Sequence, residues 1–102
     1  LFSAKRSPGA PEVPTCGEAG GPPVEGSTWV MFLAPAGTPK AIVERISAET
    51  AKIVSDPAIR ERFEQIGIEA AGTTPAETAK YLADEIAKWG NVIRTAGVKP
   101  EI

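Results

Sequence analysis

The feature that most constrains the fold is a run of five apolar residues at positions 29–33, closed by Pro35 and Gly37. Aromatic and branched side chains dominate the run, and Pro35 has no N–H with which to continue a strand ladder. This pattern predicts a short strand that is buried on both faces. Thr38 and Pro39 then combine a capping side chain with proline at a first helical position. The sequence therefore predicts a βα unit at this point.

Composition limits the chain to one small domain and excludes several classes of function. Its 102 residues carry a net charge of −2, with positive and negative side chains interspersed, which argues against nucleic acid as a partner. No apolar run approaches the roughly 20 residues of a membrane span, and the first residues lack the order of a signal peptide. Cys16 is the single cysteine and histidine is absent, so common metal and acid–base side chains are missing. We predict no enzyme activity, no cofactor and no metal site.

Local start and stop signals predict three helices. The first covers residues 39–54, with its apolar side chains on one stripe. The second opens at Asp56, which precedes a proline, and ends before Gly67. The third opens at Thr74, where a capping box is followed by proline, and continues as a long helix.

Two units organise these elements. Residues 1–26 form a proline- and glycine-rich arm with a short helix, because Thr15 and Glu18 match a capping box. Residues 27–102 form a βα-type lobe segment with a second short strand at residues 68–71 and the long C-terminal helix. The predicted fold class is α/β, with short, mainly buried strands covered by three helices.

Candidate binding groups each have an ordinary structural alternative. The loop at residues 36–38 is either an anion site at a helix N-terminus or a capped loop of no special function. Trp29 and Trp89 either stack on a ligand or serve as buried anchors. Asp84 and Glu85 lie near lysines on a charged helix face, which predicts solvated ion pairs rather than an acid–base pair.

Several motifs follow one another along the chain. They are Ser7-Pro8, Pro11-Glu12-Val13-Pro14-Thr15, Glu18-Ala19-Gly20, Ser27-Thr28-Trp29, Leu33-Ala34-Pro35-Ala36-Gly37-Thr38-Pro39, Asp56-Pro57 and Ala87-Lys88-Trp89. In order and spacing they resemble the C-terminal third of the tripartite tricarboxylate transporter receptors, also called the Bug family, across nearly the whole chain.

This resemblance implies a periplasmic solute receptor with two α/β lobes of the periplasmic-binding-protein-like (type II) fold. Such a receptor captures small carboxylates and passes them to a membrane permease. The chain would be part of one lobe, mainly a scaffold without a complete ligand site. The resemblance places only Thr15, Ser27, Thr28 and Trp29 at the border of the cleft. Binding of the solute would need the missing lobes.

A second hypothesis comes from a different class of protein. A partial lobe leaves apolar faces and a strand edge without partners. The chain would then act as a stand-alone interaction or dimerisation module derived from such a receptor. In either case we expect the isolated chain to self-associate.

Overall fold

Three α-helices carry the regular structure of the residues that are described. The computed structural model describes residues 1–101, and within them the helices are α1 (Lys40–Ser55), α2 (Pro57–Gln65) and α3 (Pro75–Ala96). α1 contacts both α2 and α3. All three helices were predicted from the sequence, with bounds that differ by about one residue.

The starts of α2 and α3 follow the predicted capping chemistry. An oxygen of Asp56 accepts a hydrogen bond from the Ala58 backbone N–H at 2.8 Å. At α3, the Thr74 hydroxyl accepts from the Glu77 N–H at 3.2 Å, and a Glu77 carboxylate oxygen accepts from the Thr74 N–H at 2.9 Å. These reciprocal bonds satisfy backbone donors that a helix N-terminus leaves without partners.

The start of α1 differs from the prediction. Pro39 occupies the capping position and provides no side-chain hydrogen bond. The Thr38 hydroxyl instead donates to the Pro35 carbonyl at 2.7 Å, which closes the preceding turn. The predicted Thr38 cap is therefore wrong, because the local turn uses this hydroxyl.

The predicted α/β fold, a partial type II lobe with short buried strands, is wrong. No residue within 1–101 lies in a strand, including residues 29–33 and 68–71. Val30 and Phe32 are 92% and 81% exposed. A strand requires a neighbouring strand for its backbone hydrogen bonds, and the described chain supplies none.

The chain has more surface than a globular protein of its mass. It exposes 8511 Å², whereas such a protein exposes about 5,500 Å². Its radius of gyration is 16.7 Å, against about 13 Å for a compact domain of this length. No apolar side chain among residues 1–101 is buried. The helices therefore form a scaffold whose apolar faces are largely uncovered.

The apolar stripes of α1 and α3 show this incomplete covering. On α1, Val43 and Val54 are half-buried, whereas the outward isoleucines are exposed. The exposed α1 isoleucines are Ile42, Ile46 and Ile53. On α3, Leu82 is half-buried but Ile86 is exposed. None of the helices in the described range is long and apolar enough to span a membrane.

Candidate functional site

The N-terminal arm folds back on itself through backbone hydrogen bonds. The Leu1 nitrogen donates to the Pro14 carbonyl at 2.9 Å, and the Cys16 N–H donates to the Leu1 carbonyl at 2.9 Å. The Phe2 carbonyl accepts from the Gly26 N–H at 2.8 Å. The first two residues thus hold both the turn after Pro14 and the approach to Ser27.

Arg6, Thr15 and Glu18 form a second set of contacts, here called the arm lock. Arg6 Nε donates to Glu18 Oε2 at 2.6 Å, and the Thr15 N–H donates to the same oxygen at 3.3 Å. The Glu18 N–H returns a bond to the Thr15 hydroxyl at 3.2 Å, so the predicted capping box forms. Residues 16–20 form hydrogen-bonded turns rather than an assigned helix. Thr15, at 6% exposure, is the buried polar residue of the described chain.

The electrostatics of the arm lock favour an ionised Glu18. The Arg6 hydrogen bond lowers the pKa of the Glu18 carboxyl below its usual value, with the Thr15 N–H acting in the same direction and partial desolvation opposing them. Both charged side chains are nearly half exposed. Water therefore screens this pair, which links two parts of the arm but contributes little to stability.

A third set of contacts, here called the indole clamp, consists of Trp29, Glu85 and Trp89. The Trp89 indole N–H donates to Glu85 Oε2 at 2.7 Å, and the Trp29 indole N–H reaches the same oxygen at 3.4 Å. Lys88 Nζ lies 3.4 Å from the other Glu85 oxygen. The Glu85 side chain is only 12% exposed. The Trp89 hydrogen bond is the main cause that lowers the Glu85 pKa; desolvation opposes it, and Trp29 and Lys88 support it.

Aromatic contacts surround the indole clamp. The Trp29 and Tyr81 rings meet edge to face, with centroids 5.9 Å apart and planes at 83°. Lys88 Nζ lies 5.1 Å from the Trp89 ring centroid, within cation–π range. The Trp89 ring also lies 3.7 Å from the point where Gly26 would carry a Cβ atom. These contacts attach the Gly26–Trp29 approach to one face of α3.

The structure places the predicted cleft residues in two neighbourhoods. Thr15 belongs to the arm lock and Trp29 to the indole clamp. Ser27 and Thr28 are exposed on the connection between them. Leu1 and Phe2 link the two neighbourhoods through their carbonyl bonds to Cys16 and Gly26. No hydrogen bond connects Thr15 directly to the other three predicted residues in the described range.

Sequence reasoning missed Glu85. Both carboxylates at positions 84 and 85 were predicted to be solvated ion-pair partners, and both do pair with a lysine, Asp84 with Lys80 and Glu85 with Lys88. The prediction is wrong for Glu85 only in its solvation, because this side chain is largely covered and also accepts from two indoles. The available signal was its spacing of four residues from Trp89, which puts both on one helix face.

Neither tryptophan is the buried anchor that was one of the alternatives. Both indole side chains remain partly exposed, and their N–H groups are used by Glu85. The proposed anion site at residues 36–38 stays a prediction, although the Thr38 side chain does not cap α1.

Surface grooves lie away from both neighbourhoods. An open groove of about 300 Å³ follows the exposed isoleucines of α1. A second, of about 230 Å³, lies between α1 and residues 72–75. Within residues 1–101, no group of three or more acidic or cysteine side chains is arranged to hold a metal ion. The contacts described above position segments of the chain relative to one another.

Comparisons with known proteins identify the family. The family model described as "Tripartite tricarboxylate transporter family receptor" matches residues 1–98. The chain is 41% identical over 94 residues to the UPF0065 protein in the tcbD-tcbE intergenic region of a Pseudomonas species, covering 91% of this chain and 28% of that protein. It is 33% identical over 99 residues to Protein BugT of Bordetella pertussis, covering 97% of this chain and 30% of that protein.

A third relative is the UPF0065 protein in the TAR-I ttuE-ttuC' intergenic region of Agrobacterium vitis. Identity is 33% over 90 residues, covering 85% of this chain and 26% of the relative. The chain thus spans less than a third of the length of these curated relatives. It belongs to the tripartite tricarboxylate transporter receptors, the Bug family, which are solute receptors of transport systems and not a family of enzymes.

Proposed function

We propose that the chain is the C-terminal segment of a periplasmic receptor that binds small carboxylates and delivers them to a tripartite tricarboxylate transporter. The observation that carries this proposal is the family match across residues 1–98. In this role the segment is mainly a scaffold, and a complete ligand site needs the remaining lobes. Its partners are the small carboxylate solute, in the presence of those lobes, and the membrane permease.

The uncovered surface supports a segment that packs against further protein. The chain exposes roughly 3,000 Å² more than a compact protein of its mass, and apolar side chains contribute prominently to it. Val30, Phe32 and Leu33 are the adjacent examples. Their burial by the rest of a receptor would add to the limited hydrophobic stabilisation of the partly covered helices.

The segment contributes polar groups to one border of the cleft. The exposed hydroxyls of Ser27 and Thr28 can donate to a carboxylate oxygen, and Thr15 lies in the neighbouring turn. Both indole N–H groups are already directed to Glu85. These few donors are too sparse to hold a small dicarboxylate without groups from the opposite lobe.

Reconstitution tests the proposal directly. The chain is mixed with Protein BugT from which the matching segment has been deleted, and complex formation is followed by light scattering after size exclusion. We expect a one-to-one complex with a higher melting temperature than either part. Val30→Asp should weaken it by placing a charge on the apolar face, whereas Lys52→Asp, at an exposed α1 position, should not. Absence of a complex with the unaltered chain contradicts the receptor-segment proposal.

The exposed run at residues 29–33 also favours the second candidate, a stand-alone dimerisation module. A stable interface needs about 800 Å² from each partner, and the surplus surface of the chain exceeds this area. Light scattering at decreasing concentration tests self-association. A monomer at all concentrations eliminates this candidate. A dimer that persists when the shortened BugT is added favours it.

A further inference from the structure

We propose that Glu85 is a positioning residue that holds Trp29, and with it Ser27 and Thr28, in a fixed position against α3. The connection of this position to solute binding rests on the proposed function. The clamp itself consists of contacts within this chain and involves no solute.

Both indoles converge on one acceptor. An indole has a single N–H and no acceptor, and the chain contains two tryptophans. Both N–H groups are directed to Glu85 Oε2, at 2.7 Å and 3.4 Å. Random surface contacts rarely satisfy two such donors with one largely covered carboxylate, so the arrangement indicates a specific positioning role.

The two hydrogen bonds to Glu85 differ in the sequence separation of their partners. Trp89 lies four residues after Glu85 on the same helix, and Lys88 lies three residues after it. These contacts lie within α3 and orient the carboxylate without help from a distant segment. Trp29 is 56 residues away in sequence, so its bond is the tertiary contact. Glu85 therefore presents a preformed acceptor, and Trp29 is the group that docks.

One face of α3 receives the segment that contains Trp29. Tyr81 precedes Glu85 by one turn of α3, and its ring meets the Trp29 ring edge to face. Trp89 follows by one turn, and its ring lies 3.7 Å from the point where Gly26 would carry a Cβ atom. Tyr81, Glu85 and Trp89 thus form one continuous surface that receives Gly26 and Trp29. Ser27 and Thr28 lie between those two anchored points, which sets their position relative to α3.

Nuclear magnetic resonance of the indole N–H groups tests this role without any solute. In the 15N-labelled chain, Glu85→Ala should move both indole resonances upfield, because each loses a charged acceptor, and should shift the backbone amides of Ser27 and Thr28. Glu85→Gln retains an acceptor oxygen and should restore the Trp29 indole and the two amides toward their original positions. Asp84→Asn is the matched control, since the adjacent exposed carboxylate pairs with Lys80 and touches no indole.

A second variant keeps the test decisive if Glu85→Ala perturbs folding. Trp89→Phe removes one indole donor but retains an aromatic ring, and the remaining Trp29 resonance should stay downfield. The proposal is overturned if Glu85→Ala leaves Trp29, Ser27 and Thr28 unchanged, or if Asp84→Asn has the same effect as Glu85→Ala. Because no solute is used, either result is separate from a failure of the receptor proposal, which the BugT reconstitution reports.

Discussion

Replacing Gly72 by alanine is the sharpest single perturbation of the helical scaffold. Gly72 adopts φ +63°, and a Cβ atom at this position would lie 2.8 Å from Cγ2 of Val54 and 3.7 Å from the Ala51 backbone. This is the point where the loop before α3 approaches α1. The substitution therefore combines backbone strain with a steric clash.

The two costs can be estimated separately. The left-handed backbone conformation costs an L-residue about 1–2 kcal/mol, and an added carbon in a tight contact costs about 1–3 kcal/mol. We expect Gly72→Ala to reduce the free energy of unfolding by roughly 2–5 kcal/mol. Urea titration followed by helical circular dichroism measures this loss.

A matched control isolates the clash. Gly97 has nearly the same backbone, at φ +67°, but an added Cβ would meet nothing within 4 Å. Gly97→Ala should cost only the strain, about 1–2 kcal/mol. Val54→Ala removes the opposing methyl groups, so Gly72→Ala in that background should cost no more than Gly97→Ala. Equal losses from both glycine substitutions in the unaltered chain, or an undiminished loss in the Val54→Ala background, would refute the proposed contact.

Three further predictions address the caps, the arm and the ligand. Thr74→Ala should lower the free energy of unfolding by about 1 kcal/mol, whereas Thr38→Ala should have a much smaller effect on helix stability, because Thr38 does not cap α1; urea titration of both variants compares them. The arm lock should be intact above the usual carboxyl pKa of 4.5 and weaken as the pH falls through the lower pKa of folded Glu18. The amide resonances of Thr15 and Glu18 follow this change, and Glu18→Gln should abolish their pH dependence. Calorimetry of the chain alone with succinate, malate, glutamate and citrate should detect no tight binding; a low-micromolar dissociation constant, about 8 kcal/mol, would reveal a site that the described contacts do not contain.

The helices were predictable because their determinants are local. Asp56 and Thr74 each cap a helix whose first residue is proline, and these hydrogen bonds span only two or three residues. Gly97 ends α3 in the left-handed conformation, and the Val98 N–H reaches back to the Ile93 carbonyl at 3.2 Å. Signals of this kind act within one turn of the chain and do not depend on its tertiary partners.

The predicted strands failed for the opposite reason. Five consecutive apolar residues at positions 29–33 indicate that a segment is suited to burial, but burial and strand pairing both require other parts of a protein. The described chain provides no strand beside them, and Val30, Phe32 and Leu33 remain exposed. The apolar run therefore indicates a segment that is stabilised by packing against other residues. Whether it forms a strand depends on whether those residues are present.

The same distinction explains why Glu85 was missed while Trp29 was selected. The helical neighbours of Glu85 include Lys88, which is sufficient to predict an ordinary surface ion pair. Its bond from Trp89 is local, at a spacing of four residues, whereas its contact with Trp29 comes from a segment 56 residues away. Spacing along α3 places Tyr81, Glu85 and Trp89 on one face, but it cannot identify the side chain that docks there. A carboxylate one turn before a tryptophan is therefore worth testing as a receptor for a second indole wherever another tryptophan occurs in a nearby irregular segment.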